Sequence, residues 1–464
     1  MKNTRTESDS IGSLEIPENV YYGVQTSRGC QNFNITGVKM NDRFIQNIVK
    51  IKKAAAIVNA NAGTISPATA EAIVSACNEA LSGKFNADFV TDAIQGGAGT
   101  TVNMNVNEVI ANRATELLGG KKGEYLCHPN DHVNCSQSTN DVIPTAGKMT
   151  VIGYTQDLTA SLQSLIDALE EKARAFDDVI KMGRTQLEDA VPIRLGQEFK
   201  AYASGVKRSL RLLENAVREM HTVNIGGTAI GTAINVKREY LGGIVPELNK
   251  ETGYDLKQAE DLIDATQNCD SFVYVSGALK TLAVTLSKMC NDLRLLASGP
   301  KTGFEEIVLP AKQNGSSIMP GKVNPVIPEV VSQVAFSVIG NDTAITLAAE
   351  AGQLELNAFE PVIFYKLFES LHTLNGAVNT LVENCIKGIQ VNRERCESLV
   401  YESVGTVTAL NPYIGYKKAA DLAKEALKRN VKIKDLVLEK HIMAESELEK
   451  ILNPYAMTEP KESV

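Results

Sequence analysis

No two of the eight cysteines form a Cys-x-x-Cys pair. Cys30, Cys77, Cys127, Cys135, Cys269, Cys290, Cys385 and Cys396 are scattered along the 464 residues. That pattern points to reduced thiols in a cytoplasmic protein rather than to a disulfide framework. Tryptophan is absent and aromatic residues are 5% of the chain. There is no excess of positive charge: the formal net charge is −8, so no general attraction to nucleic acid or to an anionic membrane is expected. An anionic small molecule would instead need local cations and dipoles. No uncharged apolar run is long enough to span a bilayer. The polar opening Met1–Ser10 has no apolar core of the kind a secretory leader requires. The stretch from Cys127 to Cys135 gathers two thiols and the imidazoles of His128 and His132. Their spacing matches none of the usual zinc patterns, and Pro129, Asn130 and Asp131 favour a turn. What remains is an ordinary globular composition, 44% hydrophobic and 22% charged. The length suggests about three domains of roughly 150 residues each.

The chain turns on Gly315-Ser316-Ser317-Ile318-Met319-Pro320-Gly321-Lys322-Val323-Asn324-Pro325. Glycines at its start and middle let the backbone bend and approach a ligand closely. Asn324-Pro325 reads as a helix start, since Asn is a favoured cap and Pro is tolerated at the first helical position. A helix start offers free N–H groups and a partial positive charge, which suits a carboxylate. Taken alone, the stretch is either a loop that closes over a small anion or a connector between helices.

Two earlier stretches share this chemistry. Gly96-Gly97-Ala98-Gly99-Thr100-Thr101, running into Asn103, Asn105 and Asn107, places hydroxyls and backbone N–H groups before a helical pattern, as an anion cradle does. Ser136-Gln137-Ser138-Thr139-Asn140 is a cluster of short donors before a helix, which also describes a capping cluster.

The rest of the chain is mainly helical in pattern. Helices are expected near 42–62 and 67–82, and long ones follow from about 146. Leu158, Leu162, Leu165 and Leu169 recur every three or four residues, as do Phe199, Tyr202, Val206, Leu210, Leu213, Val217 and Met220. Alternating steps of four and three mark Val275, Leu279, Leu282, Leu286, Met289, Leu293 and Leu296. They also mark Phe364, Leu367, Leu371, Leu374, Val378, Leu381 and Cys385, and more briefly Ile327, Val330, Val334 and Val338. This is a bundle seam. Val273, Ala283 and Val284 are further apolar flanks, suited to burial against other subunits. Residues 1 to about 40 look irregular, and Met182–Pro192 reads as a polar loop between long helices. Short helices are expected at 417–428 and around 445–452.

The string from Gly315 to Pro325 resembles the signature loop of the fumarase/aspartase superfamily of lyases, and the resemblance runs along nearly the whole chain. It implies an all-α fold: an elongated central helical bundle over 141–394, flanked by smaller domains at 1–140 and 395–464. It also implies a homotetramer, with each active site shared by three subunits. The family reaction adds or removes HX across fumarate through an aci-carboxylate. It needs no organic cofactor, although a divalent metal activates some relatives. By resemblance Ser316 is the base, and Ser317, Thr100, Ser138 and Thr139 hold the charged-up carboxylate. Lys322 and Asn324 bind the other carboxylate, and Asn140, Thr185 and Gln186 receive the amino group. An arginine at the place of Arg28 is also associated with the family's site.

A serine base needs its hydroxyl ionised. A lysine at about 4 Å, with an effective dielectric near 20, supplies roughly 4 kcal/mol. That is about three pKa units, so loop N–H groups and exclusion of water must supply the rest. Gln186 separates the branches of the family. Fumarases carry a histidine there, held by a glutamate that matches Glu329, and the pair is linked to water activation. A glutamine amide does not titrate, but it can hydrogen-bond an amine. Ser138-Thr139-Asn140, Val326-Ile327-Pro328-Glu329 and the Asn411-Pro412-Tyr413 turn also resemble the ammonia-releasing branch. The expectation is therefore elimination of ammonia from L-aspartate to give fumarate. The alternatives are a class II fumarase and a non-catalytic relative of the crystallin type. The intact Ser316, Lys322, Asn324, Thr185 and Asn140 argue against lost catalysis.

Overall fold

The computed structural model describes residues 3–460. Met1, Lys2 and residues 461–464, the outermost parts of the first and last expected domains, lie outside the described residues. In chain order the elements are β1 (Thr4–Ser8), β2 (Ser13–Pro17), α1 (Val24–Asn32), α2 (Asp42–Asn61), α3 (Pro67–Leu81), α4 (Thr100–Leu117) and α5 (Thr139–Ala175). Then come β3 (Ile180–Thr185), β4 (Glu188–Arg194), α6 (Leu195–Val217), β5 (Thr222–Val223), α7 (Arg238–Thr252), β6 (Lys257–Gln258), α8 (Leu262–Gln267) and α9 (Asp270–Leu296). The chain continues with β7 (Ile307–Val308), α10 (Val326–Glu350), α11 (Glu360–Asn384), β8 (Gln390–Val391) and α12 (Arg393–Glu402). It ends with α13 (Asn411–Ile414), α14 (Tyr416–Arg429), α15 (Ile433–Glu439) and α16 (Glu445–Ile451). The fold is all-α in class; the strands form two-stranded ribbons only.

Two compact units emerge: Met1–Leu158, Arg211–Thr281 and Phe336–Thr373 make the first, and Thr159–Leu210, Leu282–Ala335 and Leu374–Val464 the second. In the first, Asn41 caps α2 by accepting from Phe44 N, and Ser66 caps α3, which starts on Pro67. The apolar faces of these helices bury Phe44, Ile48, Ile51 and Ile73 completely. Phe44, Phe272, Phe364 and Phe368 pack with ring centroids 5.2–5.7 Å apart. In the second unit, Leu162, Leu165 and Leu169 of α5 and Phe199 and Val206 of α6 are fully buried. Its C-terminal part has a core of its own, built on Leu410, Leu422, Leu436, Val437 and Leu448.

The two long four-and-three stripes are core throughout: every member from Val275 to Leu296 and from Phe364 to Cys385 is 5% exposed or less. The shorter α10 stripe is right at Val338 but one position early before it. Val331, Ala335, Val338 and Ile345 are buried, whereas Val330 is 40% exposed. Valine and isoleucine crowd this helix, so periodicity alone does not pick its inner face. Ala283 is likewise core and not a flank, while Val284 is exposed. By length and composition α10 is apolar enough to cross a membrane, although Glu329, Asp342 and Glu350 interrupt it, so that no uncharged run in it is that long.

The region before residue 40 is not irregular. β1 and β2 pair antiparallel from Thr4↔Pro17 to Ser8↔Ser13. The N-terminus of α1 is capped from afar: the buried Glu108 carboxylate of α4 accepts from Gly23 N, Gln25 N, Thr26 N and Thr26 Oγ1 at 2.6–3.1 Å. Nothing local to α1 announces that cap. Met182–Pro192 is not a loop either but lies within the β3–β4 hairpin. The Cys127–Cys135 stretch holds a π-helical turn, Pro129–Val133, in which His128 Nδ1 accepts from Asn130 N and Asp131 N.

Candidate active site

The expected site residues fall into two sets. Thr100, Ser138, Thr139 and Asn140 belong to the first unit; Thr185, Gln186, Ser316, Ser317, Lys322 and Asn324 belong to the second.

In the first set, Gly97, Ala98 and Gly99 have φ of +81°, +54° and +86°, bending the chain into the start of α4. A Cβ on Gly99 would meet Ile143 of α5 at 3.0 Å, so glycine lets the two helix starts meet. Thr100 is exposed, and its hydroxyl donates to Gly97 O at 2.7 Å. α5 starts earlier than its periodicity predicts. Ser138 Oγ accepts from Asn140 N at 3.2 Å, while Asp141 Oδ1 accepts from Ser138 N at 2.9 Å. This is a capping box with Asp in the reciprocal place. It leaves the Ser138 hydroxyl its own proton to donate. Pro144 lies inside the helix and removes the N–H that the Asn140 carbonyl would accept. Asn224 Nδ2 replaces that donor at 3.0 Å, and Asn140 Nδ2 in turn donates to Ala229 O at 2.7 Å. Thr139 Oγ1 accepts from Asn103 Nδ2 at 3.1 Å, which again fixes the hydroxyl as a donor.

A buried network that sequence reasoning missed lies behind these groups. Asn134 Oδ1 accepts from Lys52 Nζ at 2.8 Å, Asn107 Nδ2 at 3.1 Å and Asn103 Nδ2 at 3.2 Å. Lys52 Nζ also donates to Gln137 Oε1 at 3.0 Å. Lys52 is fully buried, and burial pulls its ammonium down to about 7. Burial pushes the Asp141 carboxyl up to about 6, against the N–H groups of Ser138, Thr228 and Gly226 that hold it down. The one available signal was the Ser138-x-x-Asp141 spacing. Lys52 stands between Lys50 and Lys53 in α2, with nothing local to mark it as the buried one.

Stability should follow from these shifts. In the unfolded chain a lysine titrates near 10.4. Below pH 7 both states hold the Lys52 proton and the burial penalty is fully present. From there up to about pH 10 the unfolded state binds the extra proton, so stability rises with pH. Asp141 acts oppositely: from about pH 4 to pH 6 the folded state binds the extra proton and stability falls as pH rises. Lys52→Met should flatten the rise between pH 7 and 9, read as the shift in urea midpoint across that interval; an unchanged slope would contradict the assignment.

In the second set, β3 and β4 are joined by a two-residue turn. Thr185 pairs with Glu188, and Gln186 and Leu187 form the tip with φ of +56° and +67°. Both central residues of such a turn need positive φ, a place usually filled by Asn-Gly or Asp-Gly. A glutamine and a leucine there are strained, and strain of this kind gathers at functional sites. Thr185 and Gln186 are both exposed.

The signature stretch is a short closed loop. Gly315 N donates to Lys322 O at 2.8 Å, and Asn324 Nδ2 donates to Gly315 O at 2.7 Å. A Cβ on Gly315 would lie 2.5 Å from Lys322 O and 2.9 Å from Asn324 N, so only glycine permits this closure. Met319-Pro320-Gly321-Lys322 is a turn with Gly321 at φ +81° and Lys322 N donating to Met319 O at 3.3 Å. Ser316 Oγ accepts from Ile318 N at 3.2 Å and Met319 N at 3.1 Å. Ser317 and Lys322 are exposed, as are Ile318 at 84% and Met319 at 48%. α10 begins one residue after Pro325. Glu329 is a partly exposed residue 3.9 Å from Arg294. Arg28 is bound up locally, with Nε 2.9 Å from Asp9 Oδ2 and Nη2 donating to Gly12 O at 2.8 Å. Among the described residues no three His, Cys, Asp or Glu side chains are grouped as metal ligands.

Residues 12–340 match the family model described as Lyase, and residues 407–459 match the one described as Fumarase C C-terminus. The chain is 52% identical over 459 residues to an aspartate ammonia-lyase of Helicobacter pylori, covering 98% of each protein. A solved fumarate lyase:delta crystallin from Brucella melitensis, bound to cobalt, superimposes with a TM-score of 0.96 at 47% identity, over 99% of this chain and 100% of that one. A recombinant class II fumarase from Schistosoma mansoni gives the same TM-score at 35% identity, again over 99% of this chain and 100% of that one.

Proposed function

The chain belongs to the lyase family that holds aspartate ammonia-lyases and class II fumarases, and from that membership we propose that it eliminates ammonia from L-aspartate, reversibly, to give fumarate. The observation that carries ammonia over water is Gln186, held in a strained turn at the tip of a hairpin where fumarases place a titrating histidine. An amide cannot activate water by taking its proton, but its oxygen can accept from an ammonium or amine.

Ser316 takes the proton from the carbon next to the carboxylate. The Ile318 and Met319 N–H groups that reach its Oγ would stabilise the developing alkoxide, and the Lys322 ammonium adds to them. The Ser138 and Thr139 hydroxyls, each already accepting a hydrogen bond, donate to the carboxylate as it gains charge, with Thr100 and Ser317. Lys322 and Asn324 bind the second carboxylate, and Asn140 and Thr185 join Gln186 around the amine. No organic cofactor takes part in these steps. The exposed apolar tip, Ile318 and Met319, suits a loop that closes over the substrate and expels water.

The site is shared among subunits of a homotetramer in this reading. Support comes from α10, whose outer face carries Val330, Gln333, Phe336, Ser337, Gly340, Thr343 and Leu347 without a charge. The sequence-based domains, 1–140, 141–394 and 395–464, and a cytoplasmic location belong to the same proposal.

The test is a pair of assays on purified protein. Fumarate with ammonium should be consumed far faster than fumarate alone, with aspartate as the product. Malate as the main product would make the protein a fumarase.

A further inference from the structure

We propose that the buried Arg184–Glu306 pair is the positioning device that holds Gln186 where it meets the amino group, and so helps set the preference for ammonia. This rests on the reading of Gln186 given above.

The geometry begins in the hairpin. Met182 pairs with Pro192 but Arg184 pairs with Asp189, so Gly183 faces two residues of β4. This is a bulge, and bulges re-aim the side chain beside them. A Cβ on Gly183 would lie 2.7 Å from Val191 O, so the bulge depends on glycine. The side chain that follows Gly183, across from the bulge in β4, is Arg184. Its Nη1 lies 3.0 Å from both carboxylate oxygens of Glu306, and its guanidinium stacks 4.0 Å from the Phe304 ring centroid. The Glu306 side chain is completely buried and that of Arg184 is 11% exposed. Lys181 Nζ stands 3.5 Å from the same carboxylate and 3.3 Å from Glu198. Glu306 is itself fixed: its N–H donates to Leu296 O at 2.9 Å and its carbonyl accepts from Asn392 N at 3.0 Å.

Two residues beyond Arg184, the tip holds Gln186 and Leu187 in a backbone region that neither prefers. Such strain persists only where the surroundings over-determine it. Leu187 cannot supply the restraint, since it is 69% exposed. The anchored arginine is the nearest buried, charge-paired residue of β3 that can.

The test is a double-mutant cycle on the full-length enzyme in the addition direction, varying ammonium and fumarate separately. Glu306→Gln should raise KM for ammonium about tenfold, the factor expected for one misplaced hydrogen bond. It should leave KM for fumarate near its original value. In a Gln186→Ala background the same change should add nothing further, because the anchor acts through that side chain. Losses that simply multiply in the double variant, or equal damage to both KM values, would overturn the proposal. If Gln186→Ala alone left KM for ammonium untouched, the reading of Gln186 would fall first, and the inference with it. Should Glu306→Gln fail to fold, Arg184→Lys keeps the charge but loses the fixed grip on both Glu306 oxygens; it should raise KM for ammonium likewise, and an unaltered value would overturn the proposal.

Discussion

Ser316→Ala is expected to lower turnover of aspartate by about 10²–10⁴-fold, the range typical of a lost general base, while leaving a folded protein that still binds aspartate. The reason lies in the loop. Ser316 is partly exposed and lies outside the core, so its loss removes two weak local bonds, those from Ile318 N and Met319 N. The loop is closed independently by Gly315 N to Lys322 O and by Asn324 Nδ2 to Gly315 O. Binding should therefore survive, since this closure keeps Ser317, Lys322 and Asn324 in place and Thr100, Ser138 and Thr139 lie outside the loop. Single-turnover rates and a binding isotherm for aspartate check both halves. Turnover within a few-fold of the original would remove Ser316 as the base. Lost binding with normal folding would mean that it acts on the substrate in the ground state.

A second large effect is expected at Phe336. It is 63% exposed on α10, between Val330 at 40% and Leu347 at 63%, on a face whose charges, Glu329 and Glu350, stand at the two ends of the helix. The one acid in the middle of the helix, Asp342, is turned inward and bonded to Ser276 Oγ at 2.8 Å and Lys280 Nζ at 2.6 Å. In the proposed tetramer this face would be covered. Phe336→Glu would bury an unpaired carboxylate there, at a cost of several kcal/mol. Light scattering should show the assembly falling to smaller species, and activity should vanish with it, although the variant's helix content stays the same. A tetramer of normal activity would show that this face is not an interface.

The long helices were legible because repetition marks them. Val275, Leu279, Leu282, Leu286, Met289, Leu293 and Leu296 share one face of α9, and that regularity survives any error at one position. The loop was legible for a different reason: Gly315, Gly321 and Asn324 each have a local task, in closure, turn and hydrogen bonding, that only their residue types perform. What stayed hidden depends on partners far away in the chain. The cap of α1 comes from Glu108, the carbonyl freed by Pro144 is satisfied by Asn224, and Arg184 finds Glu306. The β3–β4 turn was hidden because its tip, Gln186-Leu187, breaks the residue preferences by which such turns are read. α10 was half legible: its start after Asn324-Pro325 is local, but its inner face is set by what packs against it. The expected site residues were likewise named one by one, whereas the network of Lys52, Asn103, Asn107 and Asn134 behind them has no motif.

The most direct measurement mixes two inactive proteins. Ser316→Ala lacks the base, and Asn140→Ala lacks an acceptor for the amine, from the other set of site residues. If each site draws the two sets from different chains, dissociating and reassociating the two variants together should restore a substantial fraction of activity. Neither variant treated alone should regain any. Hybrid tetramers that form, as judged by tagged subunits, yet stay inactive would contradict the account.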